Sequence, residues 1–239
     1  MADYIRARSP ERKRERMDAI MRAADALFAR RPYHQITMGT IAEELGWSRS
    51  NLYKYAATQE EIFLALHTAK NRAWLEELVC DLGGTSDDGA MRRGAPDGTT
   101  GGVTLPTREF ARVWAEVTER HASFLRYQEI LTSVIESNVT LERLTEFKRD
   151  FAEMLPPIRE VLARQCGIDD AAAQDLYLRL LYQAPGLWNH YHCAELAREA
   201  MSAAGLPEPA GSFTEAYADF VETCVEDAQA RGGAPESDA

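Results

Sequence analysis

Thr37-Met38-Gly39-Thr40-Ile41-Ala42-Glu43-Glu44-Leu45-Gly46-Trp47-Ser48-Arg49-Ser50-Asn51-Leu52-Tyr53-Lys54-Tyr55 reads as two short helices joined at a glycine. Ile41, Ala42 and Leu45 fall on one apolar face and Leu52 and Tyr55 on another, at the three- and four-residue spacing of helices. Gly46 supplies the sharp turn, Trp47 a wedge that packs beneath it, and Ser48 an N-cap hydroxyl for the second helix. In a helix-turn-helix it is this second helix that enters the major groove of DNA. Its outward residues, Arg49, Ser50, Asn51, Tyr53 and Lys54, can all donate hydrogen bonds to phosphates or base edges.

The flanks extend the pattern. Ser9-Pro10 is a helix start signal, and Met17, Ile20, Met21, Ala24, Leu27 and Phe28 continue one apolar face to about residue 30. Residues 1–8 read as an arm. The basic run Arg12-Lys13-Arg14-Glu15-Arg16 opposes the dipole of its own helix and is either a solvated turn or a phosphate contact. Thr58-x-x-Glu61 is a capping box. The helix it opens should run to about Leu82 through Ile62, Phe63, Leu66, Ala69, Ala73 and Val79.

Three segments carry a resemblance: Ala24-Asp25-Ala26-Leu27-Phe28, Tyr33-His34-Gln35-Ile36-Thr37-Met38, and Leu52-Tyr53-Lys54-Tyr55 followed by Thr58-Gln59-Glu60-Glu61-Ile62-Phe63. Together, over roughly residues 14–66, they resemble the N-terminal domain of the tetracycline-repressor (TetR) family. The resemblance implies that Arg49, Ser50 and Tyr53 face bases and that Thr37, Thr40, Tyr53, Lys54 and Tyr55 meet the phosphate backbone. Arg49 can pair with guanine O6 and N7 or with a phosphate, and Tyr55 can equally pack beneath its helix. Ser48, Asn51 and Gln59 complete the expected DNA-facing set. Ala56 stands where the family usually has an aromatic, and Gln59 where it usually has a lysine on a phosphate. Glutamine releases no counterion, so the salt slope should be shallower by about 1.

Charge agrees with a reader head on a non-contacting body. The 239 residues carry a net −11, yet residues 1–60 hold 11 Lys and Arg against 8 Asp and Glu, and the remainder 16 against 30. Phosphate attracts the first segment and repels the second. Cys80, Cys166, Cys193 and Cys224 form no CxxC pair, which argues against a zinc ribbon and fits buried free thiols in a reducing cytosol. No apolar stretch approaches the ~20 residues that span a bilayer, and no signal peptide opens the chain. A cytoplasmic protein with no membrane partner is the expectation.

Two domains are predicted: a helix-turn-helix domain over 1–57 and a helical regulatory and dimerisation domain over 58–239. The latter contains a flexible loop at 83–106, with seven Gly and two Pro and no periodicity. Phe110, Val113, Trp114, Val117, His121, Phe124 and Leu125 stripe a helix over 107–128. Further helices are predicted at 128–137, 140–154, 157–166, 170–193 and 212–230, with a break at Pro156-Pro157. No segment alternates as a strand does, so the fold class is all-α.

The helix over 170–193 is apolar nearly all round and must be covered on every side, by a second subunit or as the central helix of a larger monomeric core. In the last helix, Phe213, Ala216, Tyr217, Phe220, Val221, Cys224, Val225 and Ala228 form one stripe. The resemblance implies a homodimer through these last two long helices. It also implies an effector pocket for a small hydrophobic or aromatic molecule, drawn from Trp114, His121, Phe124, Tyr127, Phe151, Tyr177, Tyr182, Trp188 and Tyr191; each of these can equally be plain core.

His190 and His192 lie two apart on different helix sides, so no metal site is read. There is no G-x-S-x-G, phosphate-cradling loop or H-E-x-x-H, and neither enzyme activity nor a cofactor is expected. The reading is a repressor that binds a pseudo-palindromic double-stranded operator and is released by a small molecule. The alternative is the same fold as an architectural or partner-regulated DNA binder without an inducer.

Overall fold

The computed structural model of the protein describes residues 2–83 and 104–232; most of the predicted loop, 84–103, lies outside them. Among the described residues there are ten α-helices and no strand. They are α1 (Ala2–Arg30), α2 (Met38–Glu44), α3 (Arg49–Leu52), α4 (Gln59–Asp81), α5 (Thr107–Arg120), α6 (Ala122–Ile130), α7 (Leu141–Cys166), α8 (Asp170–Tyr191), α9 (Glu195–Ala203) and α10 (Phe213–Gly232). The backbone divides into two compact units, Met1–Ala69 with Ile130–Asp150, and Lys70–Glu129 with Phe151–Ala239.

The first unit is built on the apolar stripe of α1. Ile20, Ala24, Leu27 and Phe28 are buried with Ile36, Ile41, Leu52, Ile62 and Phe63. Phe63 receives Phe28 and Tyr33 edge-on, at ring separations of 5.3 and 4.9 Å, a geometry aromatic quadrupoles favour. The expected arm is instead helical, since α1 begins at Ala2. Alanine and arginine, abundant there, are among the best helix formers.

The second unit is a helical core in which α10 packs on α5 and α8. Trp74, Trp114, Phe124, Tyr177 and Tyr217 are all but fully enclosed there. The Tyr217 hydroxyl donates to the Leu180 carbonyl at 2.8 Å and accepts from the Trp114 indole at 3.3 Å. The Trp74 indole donates to the Thr118 hydroxyl at 3.2 Å. The polar ring ends of Trp74, Trp114 and Tyr217 are thus matched by partners, as a low-dielectric core favours, whereas the Tyr177 hydroxyl has none.

Four local readings are corrected. Pro156 and Pro157 lie inside α7 without ending it. The carbonyls they leave without helical donors belong to Ala152 and Glu153, both exposed residues, where the loss of a helical donor costs less than in a core. The helix read over 107–128 divides at His121 into α5 and α6. In place of a helix over 128–137, α6 passes into a π turn over Leu131–Ile135 and a 3-10 turn over Glu136–Asn138. The buried stripe of α4 runs through His67, Asn71, Trp74, Leu75 and Leu78, while Ala69 and Ala73 face solvent. Alanine commits weakly to either side of a helix, and the larger rings and branches on the neighbouring face gain more by burial.

Candidate nucleic-acid interface and effector core

Local chemistry fixes the helix-turn-helix. At the start of α2 the Thr37 hydroxyl accepts the Thr40 backbone N–H at 3.2 Å, and the Thr40 hydroxyl accepts that of Thr37 at 2.9 Å. Two of the orphan donors at the helix start are satisfied reciprocally. The Thr40 hydroxyl donates in turn to the Thr37 carbonyl at 3.0 Å. Gly46, at φ 67°, ends α2 in the left-handed region, where a Cβ would be strained. Its N–H reaches the Glu43 carbonyl at 3.0 Å and the next N–H, of Trp47, reaches Ala42 at 2.8 Å. The chain then turns directly into α3.

Ser48 caps α3: its hydroxyl accepts the Asn51 N–H at 3.3 Å and lies 3.1 Å from the Ser50 hydroxyl. Leu52, fully enclosed, anchors this four-residue helix, a burial worth about 1.5–3 kcal/mol. Arg49, Ser50, Tyr53 and Lys54 are exposed, Asn51 and Tyr55 half-buried. Tyr53 is 55% exposed, high for an aromatic side chain. The apolar and polar faces of α3 are therefore cleanly separated.

Three features of this unit carry no signal in the motif itself. The Arg16 guanidinium stands 4.9 Å over the Trp47 ring, a cation–π contact, and the Trp47 ring lies 6.0 Å from that of Tyr55. One cation of the basic run is thereby held beside the turn, while Trp47 is only half-buried. Second, Arg49 folds over Gly39: a Cβ at Gly39 would stand 2.5 Å from Nη2 and 2.9 Å from Cζ of Arg49. A glycine on α2 thus leaves room for the guanidinium of α3. Third, Gln59 lies close enough to the Tyr33 hydroxyl to lower its pKa, and that hydroxyl donates to Glu60 at 2.9 Å. Burial first, and the Glu60 carboxylate beside it, raise the Tyr33 pKa against the lowering effect of Gln59. Ala56 is buried and leaves no aromatic at the surface there.

In the second unit the aromatic candidates separate into groups. Trp74, absent from the sequence-derived set, is the hub: its ring lies 6.0 Å from Trp114, 5.1 Å from Phe124 and 6.3 Å from Tyr177. Phe151 lies 6.3 Å from Tyr177, and Lys70 lies 5.4 Å over the Tyr127 ring. His121 is drawn aside, with Nε2 2.6 Å from Glu77. Burial raises the Glu77 pKa, but hydrogen bonds from His121 and Arg120 outweigh it and hold the carboxyl below its ordinary value. Trp188 stacks on His192 at 3.6 Å, Tyr191 donates to the Ala210 carbonyl at 3.3 Å, and Tyr182 is 60% exposed. These last three do not converge with the others.

A cavity of about 110 Å³ beside α9 is lined by His190, Tyr191, Cys193, Arg198, Met201 and Glu208 among others. Effector pockets are usually about 300–1,000 Å³, so this cavity is small for one. Among the described residues no three His, Cys, Asp or Glu side chains gather as a metal site would require, and no helix is long and apolar enough to cross a membrane.

Comparison with known proteins agrees with this geometry. Residues 20–66 match the family profile described as bacterial regulatory proteins, tetR family, and residues 69–232 that described as tetracyclin repressor-like, C-terminal domain. Among solved structures, the fatty acid degradation regulator FadR from Bacillus halodurans is similar at TM-score 0.52 and 15% identity. That match covers 87% of this chain and 93% of that one. A TetR-family transcriptional regulator from Mesorhizobium loti is similar at TM-score 0.51 and 19% identity, covering 92% and 98%. At such identities the likeness is one of fold. A comparison with curated proteins found no match.

Proposed function

Since this chain belongs to the tetracycline-repressor family of DNA-binding transcriptional regulators, which are not enzymes, we propose that it acts as a homodimeric repressor released from its operator by a small molecule. The reading rests above all on α3. Capped by Ser48 and anchored by Leu52, it turns Arg49, Ser50, Tyr53 and Lys54 outward. Arg49, Ser50 and Tyr53 read base edges; Thr37, Thr40, Lys54 and Tyr55 position the helix on phosphates, with Ser48, Asn51 and Gln59 around them. Residues 1–57 form the reading head and 58–239 the regulatory and dimerising body.

Dimerisation through α8 and α10 is supported by exposed Tyr182 and by Leu178 and Phe220, which stay only partly buried against their own core. A partner subunit would cover the apolar surface that these two helices leave open. Two-fold symmetry then matches a pseudo-palindromic operator with half-sites about one helical turn, 34–36 Å, apart. The effector binds in the second unit among Trp114, Phe124, Tyr127, Phe151 and Tyr177, around Trp74. It releases DNA by favouring the conformation that binds the operator less well, through its differential affinity for the two states.

Selection of full-length protein against a random duplex library tests this reading. A recovered palindrome with half-sites one turn apart supports it. Uniform retention of all sequences with a steep salt dependence refutes a specific repressor.

A further inference from the structure

Asn71 is fully enclosed on α4, and neither its Nδ2 nor its Oδ1 has a hydrogen-bond partner. Tyr177 on α8 is likewise fully enclosed with its hydroxyl unpartnered. Trp74 joins the two: it follows Asn71 by one turn of α4, where side chains three apart stand about 5–6 Å from one another at Cβ, and its ring lies 6.3 Å from that of Tyr177. Buried polar groups without partners are rare, and each demands an explanation. The other enclosed polar groups of this unit are engaged. Thr118 bonds Trp74 and the Trp114 carbonyl, Gln165 bonds the Leu82 carbonyl and the Leu105 N–H, Tyr217 is paired, and Gln128 has an interaction of its own.

Charge limits what can answer these atoms. No Asp, Glu, Lys or Arg is buried among the described residues, and His67, one turn before Asn71 on α4, is the enclosed side chain there that can take up a positive charge; a charged ligand group enclosed without an opposite charge is strongly disfavoured. The unpartnered Nε of Arg164 is at the far end of α4, where the same guanidinium bonds the Gly83 carbonyl, roughly 18 Å along the helix from Asn71 at 1.5 Å per residue. Asn71 itself offers one acceptor and two donors on a planar edge, the complement of another amide. Tyr177, kept protonated by burial and by Tyr182 and Tyr217, adds a hydroxyl.

We propose that the effector of this protein is an uncharged, largely apolar molecule with a carboxamide-like donor–acceptor edge, which Asn71 pairs with while Trp74 and Tyr177 flank its apolar part. This rests on the ligand-responsive reading above and narrows it to one chemical class.

Three matched probes test it: naphthalene-2-carboxamide, naphthalene-2-carboxylate and 2-naphthylmethylammonium. They are titrated against full-length protein and Asn71→Leu, following tryptophan fluorescence, melting temperature and operator retention. The carboxamide alone should raise the wild-type melting temperature, by about 5–10 °C at a hundredfold excess over its Kd, and release the operator. Asn71→Leu should lose both responses while melting, ligand-free, at or above the wild-type temperature, because it removes two orphaned polar atoms.

Response to the carboxylate or the ammonium would overturn the neutral class and leave the ligand-responsive reading intact. A carboxamide response unchanged in Asn71→Leu would overturn the role of Asn71. No response to any probe, with ligand-free Asn71→Leu melting lower, would mean that the amide holds a structural water only, and would count against both readings.

Discussion

Gly39→Ala places a methyl where α2 meets Arg49. Its Cβ would stand 2.5 Å from Nη2 and 2.9 Å from Cζ of that residue, closer than any Cβ tolerates, so the guanidinium must move. Only the flexible end of a side chain is displaced, and rotation about the Arg49 stem relieves the clash. Gly39 lies within α2 and is not among the positive-φ residues, so alanine should gain about 0.5–1 kcal/mol of helix stability. That corresponds to a rise in melting temperature of about 1–4 °C for a chain of this size.

On DNA the effect should be the opposite. A bidentate arginine–guanine pair discriminates by about 1–3 kcal/mol, or roughly 5- to 150-fold, which bounds what a misplaced Arg49 can lose. Fluorescence anisotropy of wild type, Gly39→Ala, Arg49→Ala and the double variant, on the selected operator and on one with the contacted guanine changed, closes a double-mutant cycle. Gly39→Ala should reduce discrimination only while Arg49 is present. Equal loss in the Arg49→Ala background, or a lowered melting temperature, would refute the positioning role of Gly39.

Three further outcomes are expected. Lys54→Ala should weaken binding to operator and random duplex alike and reduce the salt slope by about 1; a loss confined to the operator would contradict a phosphate role. Tyr217→Phe should orphan the Trp114 indole and destabilise by about 1–3 kcal/mol, seen as a lower denaturation midpoint at unchanged slope. Burial pushes the Cys166 thiol up to about 12, while Cys80, expected to be buried like the other thiols, is exposed. Since the thiolate is the reactive form, alkylation at pH 8 followed by mass spectrometry should label Cys80 first and leave Cys166 untouched in the native protein; comparable labelling rates would contradict its burial.

The reading unit was the most legible part of the chain, because its signals are local. Ser48 caps its helix as its type and position suggest, and Gly46 takes the positive φ that the turn demands. What pattern alone missed depends on tertiary partners. Nothing around Gly39 announces the Arg49 that lies on it, and Arg16 finds Trp47 from thirty-one residues away. In α4 two polar residues, His67 and Asn71, occupy enclosed positions, so a stripe read by hydrophobicity slid onto Ala69 and Ala73 and passed over Trp74. The double proline of α7 misled for a related reason: proline removes helical donors, but the two freed carbonyls belong to exposed residues, where that loss costs less than in a core. Among the aromatics, Tyr182 and Tyr177 are alike in sequence, and only the three-dimensional packing separates the exposed ring from the enclosed one.

The central claim is that α3 enters the major groove with Arg49 at a guanine. Dimethyl sulfate, which methylates guanine N7 in that groove, addresses it directly on the selected operator. Wild-type protein should protect one guanine in each of two symmetric half-sites, and Arg49→Ala, bound to saturation, should leave those guanines reactive. Protection that is unchanged in Arg49→Ala, or absent from wild type, would contradict the account.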